Sequence, residues 1–435
     1  MKNIENIKTV AVHTLGCSKN VVDSENLIGK IEANGFQYTE NLKQADAMII
    51  NTCGFIKSAK DENVNYILQA AELRKKGKIK KLIVMGCLAE RYKKELEMQI
   101  HEVDNFFGMN ATDEIINSLG KADLKYELAG ERHLLTPKHY AYLKLSEGCN
   151  RTCSFCAIPL IRGKHISLPK EELLKSAKRI AAQGVKELVL IAQDSSYYGK
   201  DLYGQNELGN ILNELADIEQ FKRIRLMYAY PSQFPFEVLD VIRDRMNLCN
   251  YIDMPLQHIS DKLLKSMRRG ITKAQTYSLI EKIRKAIPDV TFRSTFIVGY
   301  PNESEQDFQE LYDFIKEVEL DRVGVFTYSQ EEGTRAFDLG DPIPEEVKEQ
   351  RRGDLMLLQQ DISLKKNTSK LNKEFEVIVD GFDNGYYFAR TEADAPQIDN
   401  AVLIKTDKRL KQGDFVNVKI TKAEAYDIYG KLLNN

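Results

Sequence analysis

The sequence has no long apolar run: nothing in its 435 residues approaches the roughly 18 consecutive apolar residues that a membrane span requires. The stretch Met1 to Asn20 also lacks the apolar core of a secretory signal. No membrane partner is expected, and the cytoplasm, where thiols stay reduced, is the expected compartment. Charge of one sign is missing too, with 62 Lys and Arg against 64 Asp and Glu and a net charge of −2. No global positive field therefore draws the chain onto nucleic acid. The cysteines number seven, and an odd count argues against a disulfide framework. What remains is an ordinary globular composition, 43% hydrophobic and 29% charged. The length suffices for about three domains with cores that need no disulfides.

Three of the cysteines crowd into one run, Gly148-Cys149-Asn150-Arg151-Thr152-Cys153-Ser154-Phe155-Cys156. Soft thiolates at such short spacings wrap a soft metal centre. Three ligands leave one iron of a 4Fe–4S cluster without a protein ligand, open to a substrate or cofactor. A structural zinc site is the alternative reading, with His165 as the nearby fourth ligand it would need. The C-x3-C-x2-C spacing, with an aromatic residue just before the last cysteine, resembles the signature of the radical S-adenosylmethionine (SAM) enzymes. The resemblance implies that the open iron chelates SAM, that reductive cleavage yields a 5′-deoxyadenosyl radical, and that Phe155 lies near the adenine.

Three more cysteines end a repeated pattern. Thr9 to Leu15 runs into Gly16-Cys17, Ala47 to Thr52 into Cys53, and Lys81 to Met85 into Gly86-Cys87. Each run is short, apolar and β-branched, and reads as a buried strand. Helical stretches lie between them, Asp23 to Asn34 with Gly35 as its stop and Ser58 to Lys76 stopped at Gly77. Alternating strands and helices predict a parallel sheet with right-handed crossovers. Ligands of such sheets gather beyond the carboxyl ends of the strands. Cys17, Cys53 and Cys87 all fall at that edge, which predicts a second three-cysteine metal site. Isolated buried thiols are the plainer reading of each one taken singly.

Gly120 to His139 is mixed and charged and reads as a connector. Six strand-like runs follow: Tyr140 to Ser146, Glu187 to Ala192, Arg223 to Tyr230, Tyr251 to Leu256, Val290 to Val298 and Arg322 to Tyr328. Helical segments such as Lys170 to Gln183 and Ser304 to Glu319 separate most of them. Six β/α units predict a partial parallel barrel, whose site lies at the carboxyl ends of its strands. The cysteine run follows the first strand directly. Gln193 and Asp194, Tyr230, and Gln257 and His258 end later strands, and Gly299-Tyr300-Pro301 leaves room for a cofactor to approach the backbone. His258 reads as a general base or as a hydrogen-bonding group of the barrel rim, and Cys249 as a packed thiol. From about Thr368 short alternating strands predict a small β-barrel. Such barrels often bind nucleic acid. This one carries ten Lys and Arg against eleven Asp and Glu, which fits a basic protein partner better.

Nearly the whole chain thus resembles the methylthiotransferases, radical SAM enzymes that attach a methylthio group to an unactivated carbon. One branch modifies an adenosine of tRNA, the other an aspartate of ribosomal protein uS12. Thr14-Leu15-Gly16-Cys17-Ser18-Lys19-Asn20 followed by Asp23-Ser24-Glu25 is similar to the second, RimO branch, with Ser18 where proline is usual. Ala192 to Gly199, Asp253 to His258 and Ala393 to Asp399 resemble that branch as well. The resemblance implies an α/β chain with an auxiliary-cluster domain at 1–125, a radical SAM barrel at 135–365 and a TRAM-like β-barrel at 368–435. It implies two 4Fe–4S clusters and SAM, with Cys149, Cys153 and Cys156 on the SAM-cleaving cluster and Cys17, Cys53 and Cys87 on the auxiliary one. Phe155, Gln193, Gln257, Arg293 and Gly299 are the implied cofactor-binding residues. The implied partners are uS12 and an electron donor such as flavodoxin or ferredoxin, without direct tRNA binding. The alternatives are a tRNA (N6-isopentenyl adenosine) methylthiotransferase and a non-catalytic Fe–S RNA-binding protein. The open-iron triplet argues against the latter.

Overall fold

The computed structural model describes residues 7–120 and 132–433 in two compact units. Of the described residues the first holds 7–120, 132–135, 147–150 and 156–165, the second 136–146, 151–155 and 166–433. Part of the connector expected at Gly120 to His139, residues 121–131, lies outside the described residues.

The first unit is built on a parallel sheet of β1 (Thr9–Thr14), β2 (Gln37–Tyr38), β3 (Ala47–Thr52), β4 (Lys81–Gly86) and β5 (Asn105–Phe107), in the order β2-β1-β3-β4-β5. Successive residues of a strand point to opposite faces, so the apolar runs feed two cores. Val10, Val12, Ile49, Ile83 and Met85 meet Leu27, Ile28 and Ile31 of α1 (Ser18–Ala33) on one face. Met48, Ile50, Leu82 and Val84 meet Ile67 and Ala70 of α2 (Lys57–Lys75) and Leu88 and Leu96 of α3 (Cys87–Gln99) on the other. A short helix, α4 (Thr112–Ser118), adds Ile115 and Ile116 to the first core. Helix α1 begins at Ser18, not at Asp23 as the apolar periodicity suggested. Lys19 and Asn20 look like loop residues in the sequence, yet both are buried.

In chain order β6 (Tyr140–Lys144) is followed by β7 (Ser146–Glu147), the five-residue α5 (Ile158–Arg162) and β8 (Ile166–Ser167). The second unit continues with β9 (Glu187–Ile191), β10 (Arg223–Leu226), β11 (Tyr251–Asp253), β12 (Thr291–Val298) and β13 (Arg322–Thr327). Strands β6, β9 and β10 pair in parallel, as do β11, β12 and β13. These are the six predicted strands. The helices α6 (Lys170–Ala182), α7 (Leu208–Ala216), α8 (Glu237–Asp244), α9 (Asp261–Ser266), α10 (Lys273–Ala286) and α11 (Glu305–Val318) alternate with them. Ser304 caps α11 through a reciprocal box with Asp307. Strands β10 and β11 stop short of their predicted ends, and left-handed backbone at Tyr228 (φ 62°) and Gln257 (φ 74°) interrupts the extended chain beyond them.

Helix α12 (Glu345–Thr368) leads to a closed barrel of β14 (Glu374–Asp383), β15 (Tyr386–Arg390), β16 (Val402–Ile404), β17 (Phe415–Ala423) and β18 (Ile428–Leu432). Buried charge ties the barrel to the strands before it. Arg390 reaches Glu187 and Asp380, each at 2.7 Å, and Arg225 reaches Glu187 at 3.1 Å. Arg322 holds Asp394 at 2.6 Å, and the Tyr251 hydroxyl donates to Asp399 at 2.6 Å. Burial works to raise the Glu187 carboxyl, but Arg390 and Arg225 hold it down to about 2. Removing one partner of such a group leaves a bare buried charge. Arg390→Met should therefore lower the unfolding free energy by roughly 3–5 kcal/mol in urea titrations. A loss below about 1 kcal/mol would show that the network does not hold the barrel in place.

Candidate functional site

Cys17, Cys53 and Cys87 follow β1, β3 and β4, three adjacent strands of one parallel sheet. All three therefore stand at the same carboxyl edge. Asn20, fully buried in the first turn of α1, organises them. Its Nδ2 donates to the carbonyls of Leu15 (2.9 Å) and Thr52 (3.1 Å), which lie just before two of the cysteines. Its Oδ1 is 4.0 Å from Cys17 Sγ and 3.9 Å from Cys87 Sγ. Gly16 makes the close approach possible. Its φ is +98°, and a Cβ there would lie 2.7 Å from Cys53 Cβ. Cys17 precedes α1 and Cys87 opens α3, so two of the thiols sit at helix N-termini. The Cys53 N–H is held by Asn63 Oδ1 at 2.8 Å.

Burial pushes the Cys87 thiol up to about 12 and raises Cys53 as well. The guanidinium of Arg162 works against burial at both. Arg162 Nη2 donates to Asn20 Oδ1 at 2.7 Å and lies 3.6 Å from Cys87 Sγ. Among the described residues no three His, Cys, Asp or Glu side chains converge on a single-ion centre. A cubane's ligands bind different irons and stand further apart than those of a single ion, so three thiols at one sheet edge fit a cluster.

The other three cysteines are distributed by the fold. Cys149 and Cys156 belong to the first unit, where the Cys149 N–H donates to Gly163 O at 3.1 Å. The His165 backbone N–H is held by Asn150 Oδ1 at 3.0 Å. Cys153 belongs to the second unit, 3.2 Å from Arg269 Nη1 and 3.4 Å from the Tyr230 hydroxyl. Arg151 and Arg269 both stack on the Tyr230 ring, at 4.1 and 4.2 Å from its centroid. Asp194 steadies Arg151 at 2.6 Å. Phe155 packs with Leu263, Met267, Ile297, Tyr300, Tyr328 and Ala336. Ser154 is pinned by Met267 O, by the Ala336 N–H and by the Tyr300 hydroxyl.

Of the residues expected at a SAM site, Gln193 stands half-buried just after β9 and Gln257 half-buried in the chain beyond β11. Gln257 Oε1 is shielded from solvent and has no hydrogen-bond partner among the described residues. An acceptor left unpaired costs about 1–3 kcal/mol, and with the left-handed backbone at Gln257 it fits a site built for a ligand's donor. Arg293 is placed otherwise. It lies near the amino end of β12 and pairs with Asp253 at 2.8 Å and Asp399 at 3.5 Å, so its charge is spent on structure. Gly299 also departs from expectation. The room it leaves is filled by the stem of Lys348, whose Cγ would lie 2.3 Å from an added Cβ, and its N–H is held by Glu303. Cys249 is a packed thiol, raised by burial. Sequence reasoning missed Asn20, Arg151, Arg162 and Arg269. Each is polar in a loop or at a helix end, where no periodicity marks it.

A partial barrel of six parallel strands, with C-x3-C-x2-C directly after the first, defines a radical SAM protein. The model of the Radical SAM superfamily matches residues 143–315, that of the Uncharacterized protein family UPF0004 residues 9–108, and that of the TRAM domain residues 373–433. A 4Fe–4S cluster and SAM are the cofactors this superfamily implies. Three relatives bear the name ribosomal protein uS12 methylthiotransferase RimO. That of Cytophaga hutchinsonii is 48% identical over 437 residues, covering 100% of both chains. That of Phocaeicola vulgatus is 49% identical, covering 98% of this chain and 99% of its own, and that of Chlorobium phaeobacteroides is 50% identical, covering 98% and 97%. The chain belongs to the RimO family of radical SAM methylthiotransferases. In fold it is similar to the radical SAM methyltransferase TsrM of Kitasatospora setae, with a TM-score of 0.56 at 13% identity over 76% of this chain and 77% of that one. The cobalamin-dependent SAM radical enzyme OxsB gives 0.52 at 14% identity over 82% and 56%.

His258 belongs to the rim. It is fully buried, its Nδ1 accepts the Ser260 N–H at 3.1 Å, and burial holds its pKa at about 3. At neutral pH it is uncharged, and its 3.8 Å approach to Glu303 is no ion pair. Between pH 6.5 and about 3 the unfolded chain binds a proton at this ring that the folded chain refuses. Stability should fall as pH drops through that window, by up to about 1.4 kcal/mol per pH unit. Urea unfolding at pH 7 and pH 4.5 should show a smaller acid loss for His258→Gln than for the wild type. An equal loss in both would contradict the assignment.

Proposed function

We propose that this chain attaches a methylthio group to the β-carbon of an aspartate in ribosomal protein uS12, with SAM as methyl donor and radical source. One observation carries the reading: Cys17 and Cys87 flank Asn20, with Cys53 against Gly16, in a chain whose other triplet has radical SAM spacing. In this reading Cys149, Cys153 and Cys156 hold the SAM-cleaving cluster, and the strand-end triplet holds a second 4Fe–4S cluster. When bound, these groups supply what side chains lack, a radical able to take hydrogen from an unactivated carbon and a sulfur to put in its place. The protein's own groups do the rest. Arg162 offsets charge at Cys87, and Arg269 does so at Cys153. Phe155, Tyr300 and Tyr328 pack in one apolar cluster that braces the segment just after Cys153. Gln257 and Gln193 orient the polar groups of SAM.

The reading divides the chain into an auxiliary-cluster domain at 1–125, a radical SAM domain at 135–365 and a TRAM domain at 368–435. It places the protein in the cytoplasm with a flavodoxin or ferredoxin as electron donor. One feature favours the tRNA branch: Lys405 and Lys422 stand 6.0 and 4.6 Å from the Tyr386 and Tyr429 ring centroids, a pairing suited to stacking a base. The balanced charge of the tail weighs against it.

Cys153→Ala should abolish 5′-deoxyadenosine formation, whereas Cys87→Ala should keep part of it and yield no methylthio product. Mass spectrometry of small-subunit proteins and tRNA from cells lacking the protein should show the methylthio mass missing from uS12 alone. Its loss from tRNA would overturn the substrate assignment, and normal methylthiolation by Cys87→Ala would overturn the role of the second triplet.

A further inference from the structure

Arg162 is the last residue of α5 and lies six positions after Cys156 in the chain. Its side chain is 1% exposed. Nη1 donates to Glu147 at 2.9 Å, and Nη2 donates to Asn20 Oδ1 at 2.7 Å and Asp23 at 3.1 Å. These three acceptors would satisfy a purely structural arginine. The same Nη2 also stands 3.6 Å from Cys87 Sγ, and its charge acts on Cys53 as well. The Cys87 side of the contact is apolar: Ala157 and Ile161 of the α5 segment pack on Cys87 with Met109. Charge acts strongly in such a low-dielectric setting. A buried cation is costly unless it is paired, and here it is paired and still aimed at a thiol.

We infer that Arg162 is a positioning residue that sets the reduction potential of the iron–sulfur centre held by Cys17, Cys53 and Cys87. This rests on the two-cluster reading above. Reduction adds one electron, and therefore one negative charge, to the cluster. A cation within hydrogen-bonding range of a ligating sulfur favours the reduced form, and hydrogen bonds to ligand sulfurs act the same way. Arg162 thus makes this cluster easier to reduce, while Asp23, on the same guanidinium, moderates the effect. A guanidinium also fixes direction in a way an ammonium does not. Its fork holds Asn20, the residue that ties the loops before Cys17 and Cys53 together, while it points at Cys87.

The test uses the full chain reconstituted anaerobically with iron and sulfide, followed by redox titration monitored by electron paramagnetic resonance. Both triplets would leave an iron open, so the SAM-cleaving cluster is identified by the change of its signal on adding SAM and by its absence from Cys153→Ala, and the remaining signal reports the centre of interest. Arg162→Gln should lower the midpoint of that centre by about 59 mV or more, a tenfold shift in its reduced-to-oxidised ratio, and leave the SAM-responsive one unmoved. Arg162→Lys, which keeps the charge, should restore most of the shift. Asp23→Asn, which keeps Arg162 and removes an opposing charge, should move the midpoint upward, and it carries the test should Arg162→Gln fail to retain iron. Unmoved midpoints in protein holding about eight irons would overturn the role of Arg162. Wild-type protein that binds only about four irons would instead overturn the two-cluster reading beneath it.

Discussion

In a parallel sheet every strand delivers its carboxyl end to the same edge, and β1, β3 and β4 each continue into a cysteine there. That constraint gathers residues 17, 53 and 87 without any long-range pairing of their own. The final adjustment is made by one amide. Asn20 binds the carbonyls before two of the cysteines and turns its oxygen toward two of the thiols. Because Asn20 lies in the first turn of α1, the start of that helix and the shape of the thiol cluster are one feature.

The second unit solves a different problem. Its barrel carries buried charges, Glu187, Arg225, Arg322 and Arg390, that belong to no reaction and that tie the tail barrel to the strands. Arg293 was drawn into this work through Asp253 and Asp399. At the carboxyl ends the backbone is irregular, with left-handed residues at Tyr228 and Gln257. Structure is carried at one end of the strands, and strain is left at the other, where ligands bind in folds of this kind.

Much of this was legible beforehand. The strand runs before Cys17, Cys53 and Cys87 and the six barrel strands carry strong apolar patterns and form at those places, β10 and β11 shorter than their patterns. Short elements were not legible: β2 and β5 hold two and three residues, too few for a period. Strand β15 had a signal that was passed over, the Asn384-Gly385 turn, left-handed at both residues (φ 49° and 82°), which joins it to β14. The neighbour of Gly299 was not legible because a glycine shows that something comes close without showing what. Here it is Lys348, far along the chain. Arg162 and Arg269 escaped notice, and Asn20 stood in the motif around Cys17 without a role, because periodicity does not mark what a buried polar residue of an irregular segment holds. Only its partners reveal it.

The central claim is that the edge formed by β1, β3 and β4 is a metal centre. The most direct measurement is anomalous X-ray scattering at the iron edge from crystals of the anaerobically reconstituted protein. The account predicts two separate iron clusters, one of them bonded to the sulfurs of Cys17, Cys53 and Cys87. Iron at Cys149, Cys153 and Cys156 alone, with the other three thiols free, would contradict it.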